Sequence, residues 1–106
     1  MTILIWLAFI AAAVLEVAGD ALIRKGLHGS GITAIVAGFL ILGCYGLMVN
    51  SVKWDFGKLL GVYIAFFALV SIAASRFVFK ENVPAATWVG LGLIVVGGMV
   101  IQFGAR

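Results

Sequence analysis

Two acidic residues lie inside the first long apolar stretch of the sequence, Glu16 near its middle and Asp20 one helical turn later. A carboxylate inside a lipid bilayer carries a large free-energy cost, and residues of this kind are usually functional. An apolar environment disfavours the charged form of a carboxyl group. A glutamate placed there can therefore exchange a proton for a cation near neutral pH, which is the simplest chemistry that the chain offers.

A helical projection at about 100° per residue places both acids on one face of the first helix. Small residues flank them there, and branched residues lie opposite, so we expect Glu16 to point into a helix bundle. The shared face carries Phe9, Ala12, Ala13 and Gly19, and the opposite face carries Ile3, Leu7, Ile10 and Val14.

Each acid also has a purely structural interpretation. Glu16 would be permanently paired, for example with Arg76 of the third helix. Asp20 would form a local ion pair with Arg24, since an acid four residues before a base is the favourable order on a helix. The functional alternative for Asp20 is to line the path of a substrate.

The composition requires a membrane around these acids. Of the 106 residues, 65% are hydrophobic and only 10% are charged, whereas soluble domains carry about 25% charged residues. Four apolar runs are each close to the roughly 20 residues that a helix needs to cross a bilayer: 2–23, 32–49, 59–79 and 85–103. We therefore predict an all-α membrane protein with a single domain of four transmembrane helices over residues 1–106.

Basic residues near the cytoplasm set the orientation of a membrane protein. Arg24, Lys25, Arg76 and Lys80 fall on one side of the predicted bundle, and Lys53, Lys58 and Arg106 fall on the other, with the termini. A difference of one charge orients a chain poorly, so a single orientation and a dual orientation both remain open.

Aromatic and small residues suggest further roles. The rings of Tyr63 and Phe66 share a face of the third helix and could hold an organic cation by cation–π attraction, with simple packing as the alternative. The single cysteine, Cys44, is expected to be buried. Small residues recur along one face of the fourth helix, as in a helix-association surface: Ala86, Gly90 and Gly98. Three tryptophans lie near span ends, as in an interfacial aromatic belt: Trp6, Trp54 and Trp88.

The residue patterns do not indicate an enzyme, a metal centre or a cofactor. The sequence has no His/Cys spacing typical of a metal site, no nucleophile–base pair and no phosphate-binding loop. Seven basic residues at helix ends are normal membrane anchoring and do not indicate a nucleic-acid partner.

The segment Leu15-Glu16-Val17-Ala18-Gly19-Asp20 resembles the first-helix motif, of the A-E-V-x-G-T type, of the small multidrug resistance family. This family is a branch of the drug/metabolite transporter superfamily. Cys44-Tyr45 is similar to positions in the family's second helix. Phe79-Lys80-Glu81, with the later Gly97-Gly98, is similar to the superfamily's F-G-E-x-[LI] joint and closing glycine helix. The chain departs from the family at Asp20, in a second joint without proline, and in a third helix without the A-Y-x-x-W pattern.

The resemblance implies a proton-coupled exporter of the bacterial plasma (inner) membrane that works as an antiparallel homodimer. Protons and a small cationic substrate would compete for the paired Glu16 residues. The site would include Asp20, Tyr45, Tyr63 and Phe66, and the dimer seam would include Ala86, Gly90, Gly97 and Gly98. Other cargoes remain open, such as guanidinium-like metabolites, polyamines or a lipid-linked sugar, as does a paralogous partner subunit. A non-transporting accessory subunit and a passive channel are the competing functions.

Overall fold

The computed structural model describes residues 3–104, without the side chain of Ser30, and contains four α-helices in that range. They are α1 (Ile3–Lys25), α2 (Ile32–Asn50), α3 (Phe56–Ala73) and α4 (Ala85–Gly104). All four are long and apolar enough to cross a membrane, and residues 3–104 contain no β-strand. The predicted all-helical fold is confirmed. Thr2, where the first predicted span began, and Arg106 lie outside the described residues.

All four helices differ from their predicted spans. α2 and α4 each continue one residue further, to Asn50 and Gly104, and the α-helical part of α3 ends at Ala73 rather than Phe79. α1 continues past Ile23 through Arg24 and Lys25, and α3 begins at Phe56 rather than Leu59. Arginine and lysine are good helix formers, and their long stems let the charged groups reach water while the helix continues. The prediction used the loss of hydropathy as the end of a helix, so it ended α1 too early and began α3 too late.

The contacts divide the chain into two compact units, one ending at Val52 and the other beginning at Lys53. The first hairpin consists of α1 and α2, and the second hairpin consists of α3 and α4. In each hairpin a short connection makes the two helices antiparallel neighbours.

Glycines bring α1 and α2 into close contact in the first hairpin. A Cβ atom added to Gly38 would lie 2.7 Å from the carbonyl oxygen of Gly19 and 2.6 Å from Cγ1 of Ile23. One added to Gly19 would lie 2.7 Å from Cγ of Leu42. Because real Cβ atoms do not come this close, only glycine fits at both positions without a shift of the neighbouring atoms.

A glycine also allows close helix packing in the second hairpin, at Gly98. A Cβ atom added to Gly98 of α4 would lie 2.9 Å from Cβ of Ala65 on α3. At Gly61 of α3 the nearest atom would be Cδ1 of Ile101, at 2.7 Å. The end of an isoleucine side chain can move, whereas the Cβ of an alanine moves only with its helix. Gly98 is therefore the tighter constraint on the distance between α3 and α4.

The turn of the first hairpin follows α1 directly. The amide of Gly31 donates to the carbonyl of Gly26 at 3.1 Å, which closes a turn over Gly26–Ser30 in which His28 and Gly29 depart from helical backbone angles. Gly29 (φ +140°) and Gly31 (φ +85°) adopt backbone conformations that side chains rarely permit. These two glycines allow the chain to reverse within a few residues.

The turn of the second hairpin has a similar construction but no glycine. The amide of Phe79 donates to the carbonyl of Ala74 at 2.9 Å, and Lys80 follows in the left-handed region at φ +56°. Glu81 then donates its amide to the carbonyl of Ser75 at 2.9 Å and accepts the Ser75 hydroxyl on Oε1 at 2.5 Å. Two hydrogen bonds thus link Ser75 and Glu81 across this turn.

The branched side chains of α1 that were expected to face lipid are exposed. Ile3, Leu7, Ile10 and Val14 expose between 45% and 68% of their surface. The face of α1 that carries small residues is the one that packs.

The prediction that Cys44 is buried is wrong, because this residue is exposed. It lies about 120° around α2 from Gly38, the residue that contacts α1, so the first hairpin does not cover it. Among the tryptophans, Trp88 is 43% exposed, and Trp6 and Trp54 are half-buried. The interfacial aromatic belt remains a prediction.

Candidate functional site

Glu16 lies on the packed face of α1. Its side chain is half-buried, and Ala12 and Ala13, about one turn earlier, are completely buried. Gly19 is buried on the following turn. Phe9, two turns before Glu16, is also completely buried. The face predicted to turn inward is thus the buried face of α1, and it carries the carboxylate.

The packing of α1 on α2 sets the level of Glu16 within the first hairpin. Gly19 of α1 contacts Leu42 of α2. Because the two helices are antiparallel, residues one turn before Gly19 lie level with residues one turn after Leu42. Glu16 therefore lies beside the turn of α2 that contains Tyr45. The Tyr45 phenol interacts electrostatically with the Glu16 carboxylate.

Asp20 belongs to the same electrostatic environment. It is exposed on α1, and its charge acts on Tyr45 more weakly than that of Glu16 does. Together, Glu16, Asp20 and Tyr45 are called the Glu16 group below.

Arg76, the alternative ion-pair partner suggested for Glu16, is exposed in the turn that follows α3. Its guanidinium carbon lies 5.6 Å from the ring centroid of Phe77. This stacking on an exposed ring fits the behaviour of a cation at the end of a membrane span.

Tyr63 and Phe66 lie on α3, in the second hairpin. Tyr63 exposes only 3% of its surface, and Phe66 is half-buried. They are three positions apart in the sequence, which places them about 60° apart around the helix, so they share a face, as predicted. Ala65, which contacts Gly98 of α4, is on a different side of α3 from Tyr63. Both rings belong to α3, in the second hairpin, whereas the Glu16 group lies in the first hairpin.

The four small residues predicted to form a dimer seam divide into two groups. Gly98 is buried against Ala65 within the second hairpin. Ala86 is exposed, and the positions of a Cβ on Gly90 and Gly97 are open space. Twelve residues rotate a helix by about 120°, which turns Gly98 away from Ala86 and towards α3. Ala86, Gly90 and Gly97 are accessible to a contact outside the chain.

Two structural features were not predicted from the sequence. The first is the pairing of Gly19 with Gly38, which positions α1 on α2; a glycine in the middle of each of two neighbouring apolar helices is the signal that could have indicated it. The second is Gln102 of α4, whose Oε1 is buried without a hydrogen-bond partner among the described residues.

Within residues 3–104, no group of three or more His, Cys, Asp and Glu side chains is arranged to hold a metal ion. The chain matches no protein-family model, and no curated protein or solved structure matches it. The assignment of function therefore depends on the residues and their geometry.

Proposed function

We propose that this chain is a proton-coupled secondary transporter that exports small organic cations across the bacterial plasma membrane, as a member of the small multidrug resistance family. The observation that carries the proposal is the position of Glu16. Its carboxyl group lies on the packed face of α1, between buried small residues, in a helix long and apolar enough to cross a membrane. An acid inside a membrane span is usually functional, and its carboxyl group can hold a proton or a cation.

The exchange uses two mutually exclusive states of Glu16. The ionised carboxylate binds a cationic substrate, and protonation removes the negative charge and releases it. An apolar environment strengthens the attraction between the carboxylate and a cation. It also makes the protonated form accessible near neutral pH. Tyr45 lies in the field of this carboxylate, where its hydroxyl can stabilise the charged state by donating a hydrogen bond.

Three other residues extend the site in this proposal. Asp20 attracts the cation towards the site from the exposed side of α1. Tyr63 and Phe66 contribute aromatic faces that bind the organic part of the cation.

The working unit in this proposal is an antiparallel homodimer, or a pair with a paralogous subunit. One chain offers one acid in the middle of a span, and two copies offer two acids around a shared path. Ala86, Gly90 and Gly97 leave an open strip of small residues on α4, the kind of surface on which membrane helices associate.

Proton release tests the proposal directly. Tetraphenylphosphonium, guanidinium or spermidine is added to purified protein in weakly buffered detergent across a range of pH, and released protons are measured. We expect release from the wild type and none from Glu16→Gln. Asp55→Asn is the matched control, because Asp55 is exposed between α2 and α3 and its loss should leave release unchanged. Equal release from the wild type and Glu16→Gln would contradict the proposal.

Reconstituted liposomes separate this transporter from the alternatives. An accessory subunit shows no cation flux, and Glu16→Gln leaves its assembly with other proteins intact. A channel conducts without a proton gradient and much faster than a carrier cycle. A transporter of lipid-linked sugar shows no proton release with any of the three cations.

A further inference from the structure

The turn after α3 exposes three consecutive apolar side chains between two cationic ones. This segment, residues 76–80, is called the second turn. Phe77 and Val78 each expose 69% of their surface, and Phe79 exposes 53%. Arg76 and Lys80, at its two ends, are exposed as well.

The second turn presents these side chains from a fixed backbone. The hydrogen bond from the amide of Phe79 to the carbonyl of Ala74 closes its first part. The two hydrogen bonds between Ser75 and Glu81 close its second part. The carboxylate of Glu81, the residue after Lys80, accepts the Ser75 hydroxyl on Oε1. Arg76 and Lys80 carry two positive charges beside this one negative charge, so the segment keeps a net positive charge.

The position of the second turn determines what can cover it. The third candidate span ends at Val78, so Phe77 and Phe79 lie where the apolar part of a membrane gives way to its headgroups. Aromatic rings favour that depth, and basic residues beside it bind the negative surface formed by acidic lipids. An exposed apolar surface and two cations a few residues apart match the two parts of an anionic phospholipid.

We propose that the second turn is a binding site for anionic phospholipids. The rings of Phe77 and Phe79 enter the upper acyl region, and Arg76 and Lys80 bind the phosphate group. The Arg76 guanidinium already lies over the Phe77 ring, which places charge and ring side by side for one lipid. This site does not depend on the proposed transport function, because Glu16 has no part in it.

The turn of the first hairpin provides the matched control. It also has two adjacent exposed cations, Arg24 and Lys25, followed by the exposed Leu27. Its one ring among the described side chains is the polar imidazole of His28, so it lacks the apolar rings that would hold an acyl chain beside the charge.

Native mass spectrometry of the purified protein with phosphatidylglycerol or phosphatidylcholine counts the lipids that remain bound. We expect the wild type to retain phosphatidylglycerol preferentially. In Arg76→Gln/Lys80→Gln the affinity for phosphatidylglycerol should fall roughly fivefold for each charge removed, towards that for phosphatidylcholine. Phe77→Ala/Phe79→Ala should weaken the retention of both lipids. Circular dichroism checks that each variant keeps its helices.

Three results would overturn the site. The first is equal retention of the two lipids by the wild type. The second is an equal loss in Arg24→Gln/Lys25→Gln, which would indicate a general effect of net charge. The third is displacement of phosphatidylglycerol by millimolar inorganic phosphate, which would indicate a site for the free anion in which the rings have no part.

Discussion

The hydroxyl group of Tyr45 is the part of the Glu16 group that a mutation removes with the least other change. Tyr45→Phe keeps the ring and deletes the group that interacts with the Glu16 carboxylate. A hydrogen bond to a charged group is worth more than one between neutral groups. We therefore expect a loss of cation affinity of about tenfold or more, measured by titrating proton release with tetraphenylphosphonium.

The neighbouring residue supplies the control for this change. Cys44 is exposed, and Cys44→Ala should leave the titration unchanged. An affinity of Tyr45→Phe equal to that of the wild type would mean that Tyr45 only fills space between α1 and α2.

The backbone conformation of Lys80 is unfavourable for a residue with a Cβ atom, and substitution by glycine removes this strain. Its φ of +56° lies in the left-handed region, where a residue with a Cβ atom is about 1–2 kcal/mol less stable than glycine. Lys80→Gly should raise the free energy of unfolding by about 1 kcal/mol, measured by denaturation in mixed micelles. Lys80→Ala removes the same charge but keeps the Cβ, and should show no such gain. Equal stabilities of the two variants would contradict the backbone explanation.

At the scale of residues, the contrast between small and branched side chains was sufficient to predict which face of α1 packs. Cys44 could not be placed in the same way. α2 is apolar around its whole circumference, so its sequence does not distinguish a side that faces a helix from a side that faces lipid. The contact of Gly38 with α1 decides that question, and this contact is a tertiary property.

At the scale of helices, the close contact between α1 and α2 at Gly19 and Gly38 can be tested by comparing two glycine substitutions in α2. Gly38→Ala would place a Cβ atom 2.7 Å from the carbonyl oxygen of Gly19, so the helices must move apart. We expect a loss of about 1–3 kcal/mol in the free energy of unfolding. We also expect weaker cation binding, because the same contact places Glu16 beside Tyr45.

Gly43 provides the same substitution without the contact. It lies on the same helix, and a Cβ atom there would meet nothing within 4 Å. Gly43→Ala should be neutral or stabilising by up to about 1 kcal/mol, because alanine has the higher helix propensity. Equal effects of the two substitutions on the free energy of unfolding in micelles would contradict the explanation by the contact between Gly38 and α1.

The existence of the helices was predictable because each apolar run has the length that a bilayer requires. Their ends were less predictable. Arg24 and Lys25 continue α1 despite their charge, and the turn closures that follow α1 and α3 depend on hydrogen bonds between residues five apart. Hydropathy does not report such closures.

At the scale of the whole molecule, the proposed dimer requires a surface on which two chains can associate. On α4, the positions of Ala86, Gly90 and Gly97 lie open. Lipid cannot fill the shallow groove above small residues as well as another helix can, so this strip favours association. Gly98 takes part in packing within the chain and marks one edge of the strip.

A bulky residue in this strip tests the dimer. Gly97→Leu fills the open space with a side chain that keeps a second α4 at a distance, and we expect the dissociation constant of the dimer to rise at least about tenfold. Gly92→Leu makes the same change about 140° around α4 from Gly97, also in open space, and should leave the dimer intact. Single-molecule photobleaching in liposomes of decreasing protein density measures both constants. If Gly97→Leu dimerises as well as Gly92→Leu does, the seam lies elsewhere; if both variants dissociate, the effect is not specific to the strip.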